Sequence, residues 1–428
     1  MGRNLSPLLI GLAIASLAVA GLSAQASSFD GTTLSQQVNT LRNQGPEGLQ
    51  TFLKLHASDL TPGTLPAAAL RAALDELCQQ RDCYASRLYW YTDLEQAKAV
   101  ARTSGKPILS LRLLGRLDQD LSCANSRFFR VALYPNAEVA KFLRDRYILH
   151  WQSVRPVPKV TIDFGDGRKL ERTITGNSIH YILDASGRPI EALPGLYGPQ
   201  AFLRQLQRAE QTVREFSQKQ PGEEQEAFLR RYHRDRLAAI QTRWATELSQ
   251  LGIATPTQPG PSPATASPPP TAEAAGVVAF TKMITERPII RSLQATASQN
   301  QQALAEITDQ PTWTKLAQVH AADARLDSNS VALIQAKKGF SNPRAGATSL
   351  QSLVNNLETA IALDTIRNEY LLHSQIHQWF AQDASIRDVE ALNDRVYAQL
   401  FLTPNSDPWL GLFPSDSFTA IENDGVRQ

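Results

Sequence analysis

Two short apolar runs, Ile108 to Leu114 (ILSLRLL) and Tyr147 to Val154 (YILHWQSV), bracket a segment with helical spacing, and this limits the topologies open to the chain. Short apolar runs of this length are typical of buried strands. Between them, from Asn125 to Asp145, Phe128, Phe129, Val139, Phe142 and Leu143 recur at helical spacing. Strand, helix, strand is a βαβ unit, so the two strands are expected to be parallel, with a right-handed crossover.

The flanking segments extend the pattern. Gly48 to Leu55 and Leu65 to Cys78 read as short amphipathic helices. Thr92-Asp93-Leu94-Glu95 has the form of a capping box for a helix from Asp93 to Ser104, which Gly105 stops and Pro107 prevents from continuing. Downstream, Lys159 to Phe164 and Arg168 to Thr175 flank Gly165-Asp166-Gly167, and Ile179 to Leu183 and Pro189 to Leu193 flank Asp184-Ala185-Ser186-Gly187. Both arrangements predict hairpins. Pro199 then opens a helix reaching Gln218.

Within this order, Trp90-Tyr91, Leu94-Glu95-Gln96-Ala97, Ala101 and Gly105-Lys106-Pro107-Ile108-Leu109 resemble the entry to secreted thioredoxin-like domains. Ser126-Arg127-Phe128-Phe129, Tyr134-Pro135-Asn136, Val139-Ala140 and Tyr147-Ile148-Leu149 are similar to that family's helix, break, second helix and next strand. The resemblance covers Leu88 to Leu206. It implies an α/β thioredoxin-like fold, a mixed sheet flanked by helices with a β-hairpin insertion. It also implies that Cys123-Ala124-Asn125-Ser126 stands where the family carries its active-site Cys-x-x-Cys. A cysteine at a helix N-terminus faces unpaired amides and the positive end of the dipole, which favours its thiolate. Two positions depart from the family. Ser126 replaces the resolving cysteine, so dithiol exchange by this tetrad alone is excluded. Ser178 falls where the family places a cis-proline, and no proline lies between Pro158 and Pro189.

Residues 1–26 read as a signal peptide, with Arg3, an apolar run from Leu8 to Leu22, and Ala24-Gln25-Ala26 as the cleavage site. Export to a periplasm or beyond follows, and in an oxidising compartment Cys78 and Cys83, five apart, are candidates for a bridge. Cys123 then remains as a monothiol nucleophile with Ser126 as its hydrogen-bonding neighbour, or as a relic, buried or bridged to Cys78 or Cys83. Three buried reduced cysteines are the further alternative. The segment TPTQPGPSPATASPPPTAEAAG at 255–276 holds seven of the 25 prolines and is a stiff spacer. The organisation expected is an N-terminal helical segment at 27–86, the thioredoxin-like domain at 87–220, a long connecting helix at 221–254, the spacer, and an all-helical domain at 277–428. The last is expected to form a helical bundle over which the tail, Leu402 to Phe418, folds back.

With 43 Lys and Arg against 41 Asp and Glu, the chain has no field to draw it to nucleic acid or an anionic membrane. Arg112, Arg116, Arg127, Arg130, Arg144 and Arg146 surround Cys123 in sequence, where they could stabilise a thiolate, yet strand alternation and helical spacing explain most of them as exposed. The DFGDG hairpin lacks a calcium-loop ligand run. His373 and His377 stand one turn apart with Glu369 a turn earlier, but zinc needs a third or fourth ligand and, in hydrolases, the HExxH glutamate, so a helix-surface position or packing between helices is expected. No metal and no cofactor are expected. The leading expectation is therefore monothiol handling of exported or envelope proteins. The alternative is a redox-inactive scaffold that binds protein partners by surface docking.

Overall fold

The computed structural model describes residues 31–60, 65–173, 176–252, 310–338, 347–383, 385–401, 403–408 and 420–421. The expected signal peptide, proline-rich spacer, helix near 277–308 and most of the tail lie outside these residues. The N-terminal helices are α1 (Gly31–Arg42), α2 (Pro46–Leu55), α3 (Ala68–Cys78) and the short turn α4 (Cys83–Ser86), followed by α5 (Leu94–Ser104). The cap of α5 is Asp93, one residue after the expected Thr92. Its carboxylate accepts from the amides of Glu95 (2.8 Å) and Gln96 (3.2 Å), placing a full charge at the positive end of the helix.

Strands β1 (Ile108–Leu114) and β2 (Ile148–Arg155) are parallel, as the βαβ pattern requires. The crossover is not one helix. It comprises α6 (Ala124–Phe128), a π turn at Phe129–Leu133, and α7 (Ala137–Arg146), whose first turn is capped by the Asn136 side chain. β3 (Lys159–Asp163) and β4 (Lys169–Thr173) form a separate hairpin, with its Asp166 and Asp163 paired to Arg168 and Lys169 and exposed to solvent. β5 (Ser178–Leu183) runs antiparallel to β1, and β6 (Pro189–Pro194) antiparallel to β5, giving a mixed four-stranded sheet in the order β2-β1-β5-β6. Every residue of β1, β5 and β6 is buried, because helices cover both faces.

After the sheet come α8 (Pro199–Ser217) and α9 (Glu223–Gln250), then α10 (Gln310–Val319), α11 (Ser328–Lys338), α12 (Ala347–Arg367), α13 (Ser374–Gln382) and α14 (Val389–Arg395). A π turn at Asn368–His373 joins α12 to α13, and another follows α14 at Val396–Leu400. No helix among the described residues is long and apolar enough to cross a membrane.

The helices beyond residue 309 do not form a detached bundle. One apolar core runs from Leu34 through the sheet to Phe401. The docking is close at Gly198, where a Cβ would collide with the backbone of Asp323 and Ala324. The Gly198 amide donates to Thr365 Oγ1 (2.7 Å), and Asn368 Nδ2 donates to the Leu196 carbonyl (2.7 Å). Polar contacts hold the same seam. His320, just after α10, lies between Glu247 of α9 (2.9 Å) and Asp323 (3.2 Å), while Asp323 also pairs with Arg204 of α8 and Glu247 with Arg243. Hydrogen bonds to Asp323 and Glu247 raise the His320 imidazole to about 9, against burial that works the other way. A folded value above the unfolded ~6.5 gives stability that is full below about pH 6.5 and lost as pH rises through about 9. Unfolding free energies from urea denaturation at pH 6 and pH 9.5 should therefore differ by on the order of 1–3 kcal/mol, and His320→Gln should flatten that difference.

Candidate functional site

Cys123 lies at the N-terminus of α6, as its place in the tetrad implies. Its amide donates to the Leu114 carbonyl (3.0 Å), so the loop Gly115 to Ser122 turns back and sets the cysteine against the end of β1. The thiol is fully buried and free. Cys78 and Cys83 are joined as a disulfide, with Cα atoms 6.2 Å apart, which leaves Cys123 without a cysteine partner.

The groups around Cys123 serve packing and the backbone. Ser126 Oγ lies 2.7 Å from Ser122 Oγ and 2.9 Å from the Cys123 carbonyl oxygen, so its hydroxyl is directed to these groups rather than to the sulfur. Ser178 opposes Leu113 across the sheet, is buried, and its Oγ has no partner; no peptide bond among the described residues is cis. Burial pushes the phenols of Tyr134 and Tyr397 well above their usual range. Tyr134 also hydrogen-bonds His180 Nε2 (2.8 Å), whose imidazole burial drives down to about 3.

The cover over this end of the sheet comes from the far end of the chain. Tyr397, in the π turn after α14, donates to the Asn177 carbonyl (3.2 Å), and Asn177 Nδ2 donates to Thr403 Oγ1 (2.8 Å). Arg155 Nη1 donates to the Asp407 carbonyl (2.8 Å), so the first residues of the tail do fold back. Arg112 is wholly buried between Gln152 Oε1 (2.6 Å) and Glu390 Oε1 of α14 (2.5 Å).

The arginines expected at the protein surface are thus partly misplaced by the sequence pattern. Arg130 is buried too, bonded to Asp82 (3.4 Å) and Ser122 Oγ (3.3 Å), and it ties the Cys123 loop to the disulfide loop. Both are covered by segments remote in sequence, so local alternation has no solvent face to report. Arg116 pairs with Asp118, Arg127 with Thr173, Arg144 with the Ser86 carbonyl and Arg146 with Glu210.

A second cluster lies where β6 meets α9 and the π turn before α13. His373 and His377 are both fully buried, but Glu369 is not with them. The wide i→i+5 turn rotates Glu369 off that face, and it pairs with Arg243 (2.6 Å) instead. Glu191 of β6 and His233 of α9, two residues sequence reasoning did not select, take its place. Glu191 Oε1 is 3.1 Å from His373 Nε2, Glu191 Oε2 accepts from the Tyr232 hydroxyl (2.7 Å), and His233 Nδ1 is 2.9 Å from His377 Nδ1. Burial drives His233 down to about 4 and His377 well below its usual range. Burial works against the Glu191 carboxylate, but His377 and His373 beside it hold it well below the usual range.

These observations define a mixed α/β protein with an extensive helical cover, a closed cysteine and a buried glutamate–histidine cluster. No protein family, curated protein or solved structure matches the chain.

Proposed function

We propose that the protein is an exported, redox-inactive member of the thioredoxin-like class, used as a scaffold that binds protein partners rather than as a thiol-disulfide enzyme. The observation that carries this reading is the complete burial of the free Cys123 at the N-terminus of α6. A thiol must meet a disulfide sulfur in line to exchange with it, so a sulfur without solvent access has no chemistry to offer in this state. Supporting the fold assignment are the β2-β1-β5-β6 order and the antiparallel placement of β5. Supporting an oxidising compartment is the Cys78–Cys83 bridge. The monothiol reading would require the buried thiol to become exposed.

The test is partner capture from the exported fraction by wild-type protein and by Cys123→Ser, resolved with and without reductant. The scaffold reading expects the same partners from both, none as a reductant-sensitive adduct. Adducts that appear with wild type and vanish with Cys123→Ser would overturn it.

A further inference from the structure

We infer that Glu191, His233 and His377 form a zinc site that pins the helical segment to the edge of the sheet. One ligand atom from each lies within 4.8 Å of the others, and all three side chains are buried. Zinc with nitrogen and oxygen ligands at about 2.0–2.2 Å needs donor atoms about 3.4 Å apart, so rings and carboxylate need move only by about an ångström to close on it. The two Nδ1 atoms of His233 and His377 already stand 2.9 Å apart.

Independent observations point to a ligand. Nε2 of His377 and Nδ1 of His373 are buried with no hydrogen-bond partner, two unsatisfied imidazole nitrogens in one spot. Glu191 makes no ion pair with a lysine or arginine among the described residues; its one ion-pairing neighbour is His373. A buried carboxylate facing imidazoles is costly alone and well matched to a divalent cation. Two imidazoles and a carboxylate are the ligand types that suit zinc.

The surrounding groups have the form of supports for such a site. His373 Nε2 and the Tyr232 hydroxyl meet the two oxygens of Glu191 and fix the orientation of the carboxylate. The His233 ring stacks on Phe380 at 4.4 Å, and His373 on His377 at 4.2 Å, which limits how the rings can turn. Because the ligands come from β6, α9 and α13, the ion would join the sheet and α9 to α13, which follows the proline-rich spacer. Three protein ligands leave one tetrahedral position to a small exogenous ligand such as water.

The experiment uses the full chain, stripped with chelator and titrated with zinc chloride, then with cobalt chloride. Expected are one tightly held zinc per chain, a melting temperature that rises with zinc and falls with chelator, and the visible absorption of tetrahedral cobalt. Glu191→Gln and His377→Gln should lose that binding, and Tyr232→Phe should weaken it by about 10–100-fold with the fold retained. Should the ligand variants fail to fold, the cobalt spectrum of the wild type and the Tyr232→Phe titration still decide. A melting temperature indifferent to zinc and chelator, with only octahedral cobalt, would show that the cluster is a hydrogen-bonded histidine–glutamate pair and overturn the proposal.

Discussion

Glu390→Ala is expected to destabilise the protein by about 3 kcal/mol, more than Arg112→Met, even though the Glu390 side chain is half exposed and Arg112 is wholly buried. The asymmetry follows from which group is left behind. Removing Glu390 leaves the Arg112 guanidinium in the core with Gln152 as its remaining partner. Removing the guanidinium while filling its volume with methionine leaves Glu390 free to reach water. The double variant Arg112→Met, Glu390→Ala should lie close to Arg112→Met alone, the mark of two residues acting as a pair. Urea denaturation of the four proteins measures this. Equal costs for the two single variants would mean that α14 does not seal the sheet through this contact.

Tyr397→Ala is the second large effect, expected to cost about 3–5 kcal/mol, because a fully buried aromatic ring is removed from the seam between α14 and the Cys123 end of the sheet. Tyr397→Phe keeps the ring and loses only the bond to the Asn177 carbonyl, so about 1 kcal/mol is expected. The alanine variant should also increase the reactivity of Cys123, since Tyr397 bonds Asn177 at the end of the sheet where Cys123 is held, whereas the phenylalanine variant should not. A stability loss without any gain in thiol reactivity would place the cover elsewhere.

The parts of this structure that sequence patterns disclose are those set by neighbours in the chain. The buried strand at Ile108–Leu114, the stop at Gly105 and Pro107 and the hairpin at Gly165-Asp166-Gly167 each follow from local chemistry, and each stands within a few residues of its expected place. The Thr92 cap was one residue early because threonine and aspartate both satisfy the pattern, and only geometry chooses between them. The burial of Arg112 was not legible, since its partner Glu390 is 278 residues away. The same is true of the glutamate–histidine cluster. His377 is visible on a helical pattern, but His233, 144 residues before it, becomes a neighbour only after α9 packs on α13. The π turn that swings Glu369 away from His377 has no periodic signature either.

Cys123 shows the limit in the other direction. The tetrad gives it the place of a nucleophile, and α6 does begin there, yet the covering groups that decide its access lie on either side of a spacer whose folding partners no local pattern names. The most direct measurement is the rate of alkylation of this single free thiol by iodoacetamide at pH 8, in native protein and in denaturant. Complete burial of Cys123 leads to a native rate at least about a hundredfold below the unfolded one, because reaction must wait for the site to open. A native rate within a few-fold of the unfolded one would contradict the closed site and restore the thiol as a working group.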